Sequence, residues 1–371
     1  MYINNLQLKN FRNYKELDLF LENKINIFQG NNAQGKTNIL EALHLLALAK
    51  SHRTSKDKEL IKWGNSFSLI KGELKNSIGN SKLELQIYQK GKKVKINNIE
   101  KKKLSEYIGK LNVVIFSPED LNLVKGSPQL RRKFLDIEIG QINPSYIFHL
   151  VQYQKIIYQR NNLLKDFSRE LKNKLELLEL WNIQLIEHGS KIILKRLEYI
   201  KQLEKWAEQV HWTITNGKEK LRIKYKPSIL LDFPINELEI KQQFKKKIKE
   251  IINQEISRGI TLIGPHRDDI LLYINEIDIQ SYGSQGQQRT TALSIKLAEI
   301  ELINNSIGEY PILLLDDVLS ELDETRQTYL LKTIGKKVQT FITTTSINNI
   351  DLRSIQDSAI FYVENGKVIK K

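Results

Sequence analysis

Cysteine is absent from the chain, and methionine occurs only once. Without cysteine no disulfide bond can form, and thiolate metal sites are excluded. The six histidines show no HExxH or other metal-ligand spacing. No apolar run approaches the roughly 18 residues that a membrane span needs, and the first residues show no charged-then-apolar leader. We therefore expect a cytoplasmic protein without a membrane partner.

Acidic side chains are in the minority. The chain carries 43 Asp and Glu against 58 Lys and Arg, a formal net charge of +15. Such an excess favours a polyanionic partner, either nucleic acid or an anionic membrane surface. A composition rich in Ile, Lys and Asn produces the same excess, so charge alone leaves the partner open. The length of 371 residues exceeds one average domain.

Short apolar strand patterns fill the first third of the chain and return in its last part. One strong helix pattern, Asn38–Ala49, lies among the first strands, after a glycine-rich segment. The predicted strands are Leu6–Leu8, Ile25–Phe28, Leu83–Tyr88, Val113–Phe116, Leu221–Tyr225, Ile260–Ile263, Leu271–Ile274, Ile312–Leu315, Phe341–Thr343 and Ile360–Val363. The sequence therefore predicts an α/β domain built from residues 1–118 and 211–371.

Between residues 119 and 210 the apolar period becomes helical, which predicts an inserted helical lobe. The apolar stripe consists of Leu164, Phe167, Leu171, Leu175, Leu178 and Leu185, and after Gly189 of Ile193, Leu197, Ile200, Leu203, Ala207 and Val210. Core packing explains this stripe, and a groove for a partner is the alternative. The lobe is too short for the long coiled-coil arm of a chromosome-organising ATPase.

A glycine-rich segment fits the P-loop pattern GxxxxGK[ST] between a predicted strand and a predicted helix. Its residues are Gly30, Asn31, Asn32, Ala33, Gln34, Gly35, Lys36 and Thr37. Backbone N–H groups of such a loop converge on phosphate oxygens, and the helix N-terminus adds a favourable dipole. We expect Lys36 to reach the β- and γ-phosphates of ATP and Thr37 to ligate Mg²⁺. A chance loop of this composition is the alternative.

A matching carboxylate pair follows the aliphatic run Ile312–Leu315, which is typical of a strand buried on both faces. Asp316 is predicted to hold the Mg²⁺ shell, and Asp317 to act as the general base for the attacking water. Two aspartates that merely begin a turn are the alternative.

Two further segments resemble motifs of ABC-type ATPases. Ser284, Gly286 and Gln287 lie ahead of a helix and resemble the ABC signature motif. Ser320–Asp323 follows the carboxylate pair and resembles the D-loop. A polar loop that caps a helix is the alternative for the signature residues, although the order of P-loop, signature, carboxylates and D-loop disfavours it.

An ordered set of segments through most of the chain resembles the RecF family of recombination mediators, which is related to SMC-type ATPases. These segments are Leu8–Tyr14, Gly30–Thr37, Ser51–Ser55, Phe116–Asp120, Gly126–Arg132, Gly264–Asp269, Ser284–Thr290 and Leu315–Asp323. The resemblance implies a two-lobed ABC/SMC-type ATPase head. It also implies ATP-dependent binding to single-stranded, double-stranded and gapped DNA, and work with RecR and RecO in loading RecA.

The resemblance further implies a homodimer with ATP at the interface. Ser284 and Gly286 of one subunit would face the γ-phosphate bound by the other. Arg12 and Arg53 are candidates for phosphate contacts, with a structural salt bridge as the alternative for each. Hydrolysis would release the dimer and the DNA.

Two positions depart from the wider ABC pattern. The base is Asp317 rather than glutamate, and Thr343, Thr344 and Thr345 stand where a switch histidine is usual. The Thr344 hydroxyl can orient a water or a phosphate, but it cannot take up a proton near neutral pH as histidine can. Both departures favour slow hydrolysis.

Three other classes of protein share some of these features. A transporter ATPase subunit usually has a fuller signature motif and a switch histidine. A structural SMC head needs long heptad arms, which this chain lacks. A nuclease or helicase needs a second metal cluster or tandem motor motifs, and the sequence shows neither.

Overall fold

The computed structural model describes residues 1–22, 24–166, 171–231, 235–335, 337–346 and 358–371. The strands are β1 (Tyr2–Phe11), β2 (Tyr14–Phe20), β3 (Ile25–Gln29), β4 (Phe67–Asn76), β5 (Gly79–Tyr88), β6 (Gly91–Ile96), β7 (Ile99–Lys101), β8 (Val113–Phe116), β9 (Leu221–Lys226), β10 (Asp269–Ile274), β11 (Ile277–Asp278), β12 (Ile312–Asp316), β13 (Thr340–Thr344), β14 (Ala359–Glu364) and β15 (Lys367–Lys370). The helices are α1 (Lys36–Leu48), α2 (Leu121–Lys125), α3 (Pro128–Ile142), α4 (Pro144–Lys165), α5 (Leu171–Ile214), α6 (Glu237–Arg258), α7 (Ile279–Tyr282), α8 (Gln285–Ile307) and α9 (Glu324–Ile334).

The strands form three sheets in the described part of the chain. One antiparallel sheet has the order β2-β1-β4-β5-β6-β7, and a small antiparallel sheet has the order β11-β10-β9. The third sheet has the order β15-β14-β3-β13-β12-β8 and is parallel except for its edge strand β15. Every residue of β12 and β13 is buried, as expected for parallel strands covered on both faces.

The order of the parallel sheet brings the sequence motifs together. Strands β3, β13 and β12 are neighbours, and they run in the same direction. Their carboxyl ends therefore meet at one edge, where ligands of open α/β sheets bind. The glycine-rich loop follows β3, Asp316 ends β12, and Thr344 ends β13.

Two compact units divide the chain at positions that differ from the predicted boundary. One unit contains residues 1–121, 209–218 and 289–371, and the other contains 122–208 and 219–288. Residues 209–218 join the first unit close to the predicted return at residue 211, but residues 219–288, which the prediction gave to the α/β domain, belong with the helical insert. The physical reason is that β9 pairs with β10 in the small sheet β11-β10-β9, and α6 packs against α4.

One predicted strand is wrong. Residues Ile260–Ile263 form no strand, although the other predicted strands all coincide with observed ones. Two backbone N–H groups of this segment bind side chains instead of a neighbouring strand. Thr261 N donates to Asn161 Oδ1 at 2.8 Å, and Leu262 N donates to Glu255 Oε1 at 2.7 Å. The apolar pattern indicated a partly buried segment, but its hydrogen-bond partners are polar side chains, of which Asn161 lies 100 residues away in the sequence.

Most residues of the apolar stripe are buried in the core of the insert, and a few are partly exposed. Gly189 lies within the single helix α5 and does not end it. A Cβ atom there would lie 2.6 Å from Phe244 Cε1 and 3.1 Å from Tyr153 Cε2, so glycine permits close packing of α5. The fully buried stripe residues are Leu164, Leu178, Leu185, Ile193, Ile200, Leu203, Ala207 and Val210. Leu175 is about half exposed, and Phe167 and the side chain of Leu171 lie outside the described residues.

Across the described ranges, no helix combines the length and the apolar character that membrane crossing requires.

Candidate functional site

The glycine-rich loop is shaped by close approach of neighbouring backbone and side chains. Gly35 has φ +115°, and a Cβ atom there would lie 2.6 Å from Asn13 Nδ2. A Cβ atom on Gly30 would lie 2.2 Å from the backbone oxygen of Val363 on β14. Both positions therefore require glycine for steric reasons before any ligand is considered.

Two hairpin turns hold the loop from outside. In the turn after β1, Asn13 Nδ2 donates to the Gln34 oxygen at 3.0 Å, and Asn38 Nδ2 donates to Asn13 Oδ1 at 2.8 Å. In the turn after β14, Asn365 N donates to Gln34 Oε1 at 2.6 Å. The Asn-Gly pair at Asn365 is a hairpin signal in the sequence, but its contact with the loop is visible only in the fold.

The Lys36 side chain is held by backbone oxygens of the glycine-rich loop. Its ammonium donates to the backbone oxygens of Gly30 at 2.6 Å and Asn31 at 2.9 Å. Burial lowers the pKa of Lys36, while the nearby charges of Asp317 and Asp316 raise it and offset part of that effect. A cation is thus already in place where the loop would receive phosphate.

Asp316 is the acceptor for two hydroxyl groups. Thr37 Oγ1 donates to Asp316 Oδ1 at 2.9 Å, and Thr343 Oγ1 donates to the same oxygen at 2.8 Å. Thr343 Oγ1 also accepts a hydrogen bond from Asp317 N at 2.9 Å. Thr343 therefore positions both aspartates, a role that the sequence did not reveal. The neighbouring Thr344 directs its hydroxyl to the Ser346 oxygen at 2.7 Å.

The backbone of Asp317 explains why aspartate stands at this position. Its φ is +57° and its ψ is +16°, in the left-handed region. Asparagine and aspartate adopt this conformation more readily than other side chains with a Cβ atom. Aspartate therefore suits the turn after β12 better than the longer glutamate of the wider ABC pattern.

The oxygen atoms at this edge fit a Mg²⁺ ion. Thr37 Oγ1 and Asp316 Oδ1 are 2.9 Å apart, close to the roughly 3 Å between adjacent ligands of an octahedral Mg²⁺ bound at about 2.1 Å. No group of three or more His, Asp or Glu side chains that could hold a metal occurs in the described part of the chain. A site with two protein oxygens is typical of Mg²⁺ that completes its shell with phosphate and water.

Arg12 and Arg53 both contact the buried carboxylate of Glu41, a residue of α1. Arg12 donates to the Glu41 carboxylate through Nε at 2.9 Å and through Nη2 at 2.7 Å. Its Nη1 donates to the backbone oxygen of Glu59. Arg53 Nη1 lies 3.0 Å from Asn38 Oδ1 and 3.5 Å from Glu41 Oε2. Arg12 makes the structural salt bridge that was the alternative, and its phosphate contact stays a prediction. Arg53 is 41% exposed, and its phosphate contact stays a prediction.

Glu41 is fully buried, and its pKa reflects two opposing effects. Burial raises the pKa, but hydrogen bonds from Arg12 and Ser51 and the charges of Arg12 and Arg53 outweigh it and lower the pKa below its usual value. A carboxylate with a lowered pKa in the folded state stabilises the fold above its unfolded pKa. That contribution is lost as the pH falls through the folded pKa.

We expect Glu41→Gln to lower the free energy of unfolding by about 3 kcal/mol near neutral pH. This is the lower end for a broken buried ion pair, because Arg12 keeps some contact with water. The difference in unfolding free energy between this variant and wild type should be constant above about pH 4.5 and should shrink at lower pH. Urea denaturation at a series of pH values measures it. Glu16→Gln removes an exposed glutamate 3.8 Å from Lys9 and should cost less than about 1 kcal/mol. Equal effects of the two substitutions would contradict the role of Glu41.

The signature residues form a reciprocal cap at the start of α8. Ser284 Oγ accepts a hydrogen bond from Gln287 N at 3.2 Å, and Gln287 Oε1 accepts one from Ser284 N at 3.0 Å. This capping box confirms the helix-capping geometry of the alternative interpretation. It also leaves Ser284 and Gly286 exposed on the surface. In the D-loop segment, Asp323 caps α9, and the side chains of Ser320 and Glu321 lie outside the described residues.

The parallel sheet with its P-loop, paired aspartates and signature helix defines an ABC/SMC-type ATPase head. Residues 2–368 match the family described as RecF/RecN/SMC N terminal domain. The Smc head domain of Pyrococcus furiosus shares this fold with a TM-score of 0.56 at 17% identity, over 100% of this chain and 96% of that one.

Closer matches narrow this class. The chain is 54% identical over 368 residues to the DNA replication and repair protein RecF of Bacillus cereus (strain G9842), across 99% of this chain and 98% of that protein. RecF of Bacillus thuringiensis (strain Al Hakam) matches at the same identity and coverage. A solved structure of the recombination mediator protein RecF with ATP, in the RecFOR pathway, has a TM-score of 0.92 at 37% identity, over 100% of this chain and 97% of that one. The chain belongs to the RecF family.

Proposed function

We propose that this protein is an ATP-dependent DNA-binding protein of recombinational repair that acts in the cytoplasm. Its ATP-induced homodimer binds single-stranded, double-stranded and gapped DNA, and with RecR and RecO it promotes RecA loading. The observation that carries the proposal is the convergence of Lys36, Thr37 and Asp316 at one sheet edge. The relatives named RecF and the RecF structure with ATP support it.

The residues at the sheet edge suit the binding of ATP with Mg²⁺. The loop Gly30–Gly35 and the start of α1 offer backbone N–H groups, and Lys36 offers a positive charge. Thr37 and Asp316 would hold Mg²⁺, which when bound neutralises charge on the β- and γ-phosphates. The carboxylate of Asp317 would take the proton of the attacking water.

The arrangement around Asp317 supports slow turnover. Thr343 holds the Asp317 backbone through a hydroxyl group, and a hydroxyl group does not gain a proton near neutral pH. The proposed role of hydrolysis is therefore that of a switch that ends the DNA-bound state.

The signature loop suits contact with a second subunit. Ser284 and Gly286 are exposed at the start of α8, where backbone N–H groups favour a phosphate. In the proposed dimer these residues cover the nucleotide held by the partner subunit. Two copies of a chain with net charge +15 would then face one DNA backbone, which predicts sequence-independent and salt-sensitive binding.

The direct test is DNA binding with and without ATP. We expect a non-hydrolysable ATP analogue to raise the affinity for labelled single-stranded, duplex and gapped DNA at least about tenfold, because each subunit of a dimer contributes a binding surface. Fluorescence anisotropy measures the affinity, and Lys36→Ala should remove the ATP effect. Binding that ignores ATP in both proteins would contradict the proposal.

A further inference from the structure

Two glycine-proline segments that take no part in the proposed ATPase site meet in the unit of residues 122–208 and 219–288. One is Gly126–Arg132, at the start of α3, and the other is Gly264–Asp269, which leads into β10. A two-pronged ion pair joins them. Arg131 donates to Asp269 through Nε at 2.7 Å and through Nη2 at 2.9 Å. Arg131 is only 2% exposed, so this pair fixes the two segments relative to each other.

The other arginine of each segment, Arg132 or Arg267, has a different kind of partner. Arg132 Nη1 donates to the backbone oxygen of Asp268 at 2.8 Å. Arg267, the residue before Asp268, donates to the backbone oxygen of Thr261 through Nε at 3.3 Å and through Nη2 at 3.0 Å. Both acceptors are neutral. In the ranges that the structure describes, neither guanidinium has a carboxylate within salt-bridge distance.

The carboxylates near these arginines are already occupied. Asp268 is 1% exposed, and it accepts hydrogen bonds from the Tyr225 hydroxyl and, at 2.7 Å, from Ser228 N. Asp136 accepts a hydrogen bond from the buried Arg196 at 2.8 Å. With Asp269 bound to Arg131, none of the three aspartates forms a salt bridge with Arg132 or Arg267 in the described part of the chain.

This region therefore has more positive than negative charge. It holds four arginines and three aspartates, and burial lowers the pKa of His266 to about 4, so the imidazole adds no charge near neutral pH. Burial and the charges of Arg196 and Arg267 also lower the pKa of Arg132, although Asp269 and Asp268 oppose them. A bound anion would relieve the repulsion between these guanidinium groups.

We propose that Arg132 and Arg267 form a binding site for a phosphate group of the nucleic-acid backbone. Both guanidinium groups donate to backbone carbonyls, and the Arg131–Asp269 ion pair holds their two segments together. Among the described contacts, each guanidinium keeps further N–H groups for a ligand. Arg267 is exposed and Arg132 is partly exposed, so a strand on the surface can reach both. Arginine pairs suit phosphate because the planar guanidinium can donate two parallel hydrogen bonds. The inference rests on the proposed DNA-binding function and assigns it two residues.

The first experiment compares the salt dependence of DNA binding. The double variant Arg132→Gln/Arg267→Gln should bind duplex DNA about tenfold more weakly, and the slope of log K against log salt should fall by about 0.9, as for one lost phosphate contact. The control Lys201→Gln/Lys249→Gln removes the same charge from exposed positions of the same unit, and its slope should stay close to wild type. The variant Arg132→Lys/Arg267→Lys keeps the charge but loses the paired donors of the planar guanidinium. Its affinity for duplex DNA should lie between those of the double glutamine variant and the lysine control.

The second experiment uses the absence of cysteine from the chain. Arg267→Cys introduces the only thiol, to which a photoactivated crosslinker can be attached, and Lys249→Cys is the matched control. We expect DNA crosslinks from position 267 and few from position 249. Thermal unfolding of each variant confirms that it is folded.

The outcomes separate the two proposals. If wild-type protein binds DNA but the double glutamine variant keeps the wild-type slope and position 267 does not crosslink, the Arg132–Arg267 site is wrong and the DNA-binding function stands. If folded wild-type protein binds no DNA with or without ATP, the proposed function fails, and the site fails with it.

Discussion

Ser284→Arg is expected to abolish ATP-induced dimerisation and to leave ATP binding unchanged. Ser284 is exposed at the N-cap of α8, where it exchanges two capping hydrogen bonds with Gln287 and its backbone oxygen accepts one from Gln288 N. Arginine there adds a long charged side chain to a surface that the proposed dimer closes around nucleotide. The dimer dissociation constant should rise at least about 100-fold, which corresponds to about 2.7 kcal/mol. Sizing chromatography with a non-hydrolysable ATP analogue measures the dimer, and equilibrium dialysis measures ATP binding.

Two control variants distinguish the effect of the added side chain from the effect of losing the helix cap. Ser284→Ala loses the cap, worth about 1 kcal/mol, without adding bulk, and should retain a weaker dimer. Ser306→Arg introduces the same side chain at an exposed position near the other end of α8 and should dimerise as wild type does. A dimer of undiminished affinity in Ser284→Arg would contradict the interface.

A mixing experiment tests whether the signature acts on the partner's nucleotide. Ser284→Arg has an intact P-loop, and Lys36→Ala has an intact signature. Each variant alone should be inactive. In a mixed dimer, one composite site joins the intact P-loop of one subunit to the intact signature of the other, so part of the ATPase activity should return. If the signature served its own subunit's P-loop, mixing would restore nothing.

Asp317→Asn is expected to bind ATP normally and to hydrolyse it at least about 100-fold more slowly, because loss of a general base typically costs that much. The substitution is conservative for the backbone, since asparagine tolerates the left-handed conformation with φ +57°. The hydrogen bond from the residue 317 backbone N–H to Thr343 can remain. The ATP-bound dimer should therefore accumulate.

Single-turnover hydrolysis and sizing chromatography measure this effect. The control Asp18→Asn makes the same chemical change on the exposed residue Asp18 of β2, and its turnover should match wild type. Wild-type turnover by Asp317→Asn would remove Asp317 as the base. Normal hydrolysis in the control together with an ATP-bound dimer in Asp317→Asn would support both the base and the switch.

The contacts of the site were only partly predictable. Glycine spacing, Lys36 and Thr37 follow from local chemistry, because consecutive residues on one loop and helix must serve one phosphate group. Thr343 was missed as a partner of Asp316, and the expected role of Thr344 toward water or phosphate stays a prediction. Neighbouring strand residues point to opposite faces, and only the register between β13 and β12 decides which hydroxyl meets Asp316. The partner of Arg12 could not be predicted either, because Glu41 lies 29 residues away in the sequence.

The sequence by itself determined the class of fold, the phosphate loop, the buried strand before Asp316 and the family resemblance. These depend on periodicity and on motifs whose chemistry is local. The tertiary structure alone decided that residues 219–288 join the insert, that Ile260–Ile263 is not a strand, and that Thr343 and Asn13 support the site. Each of these depends on a hydrogen-bond or packing partner distant along the chain, and no local pattern encodes which distant partner will be met.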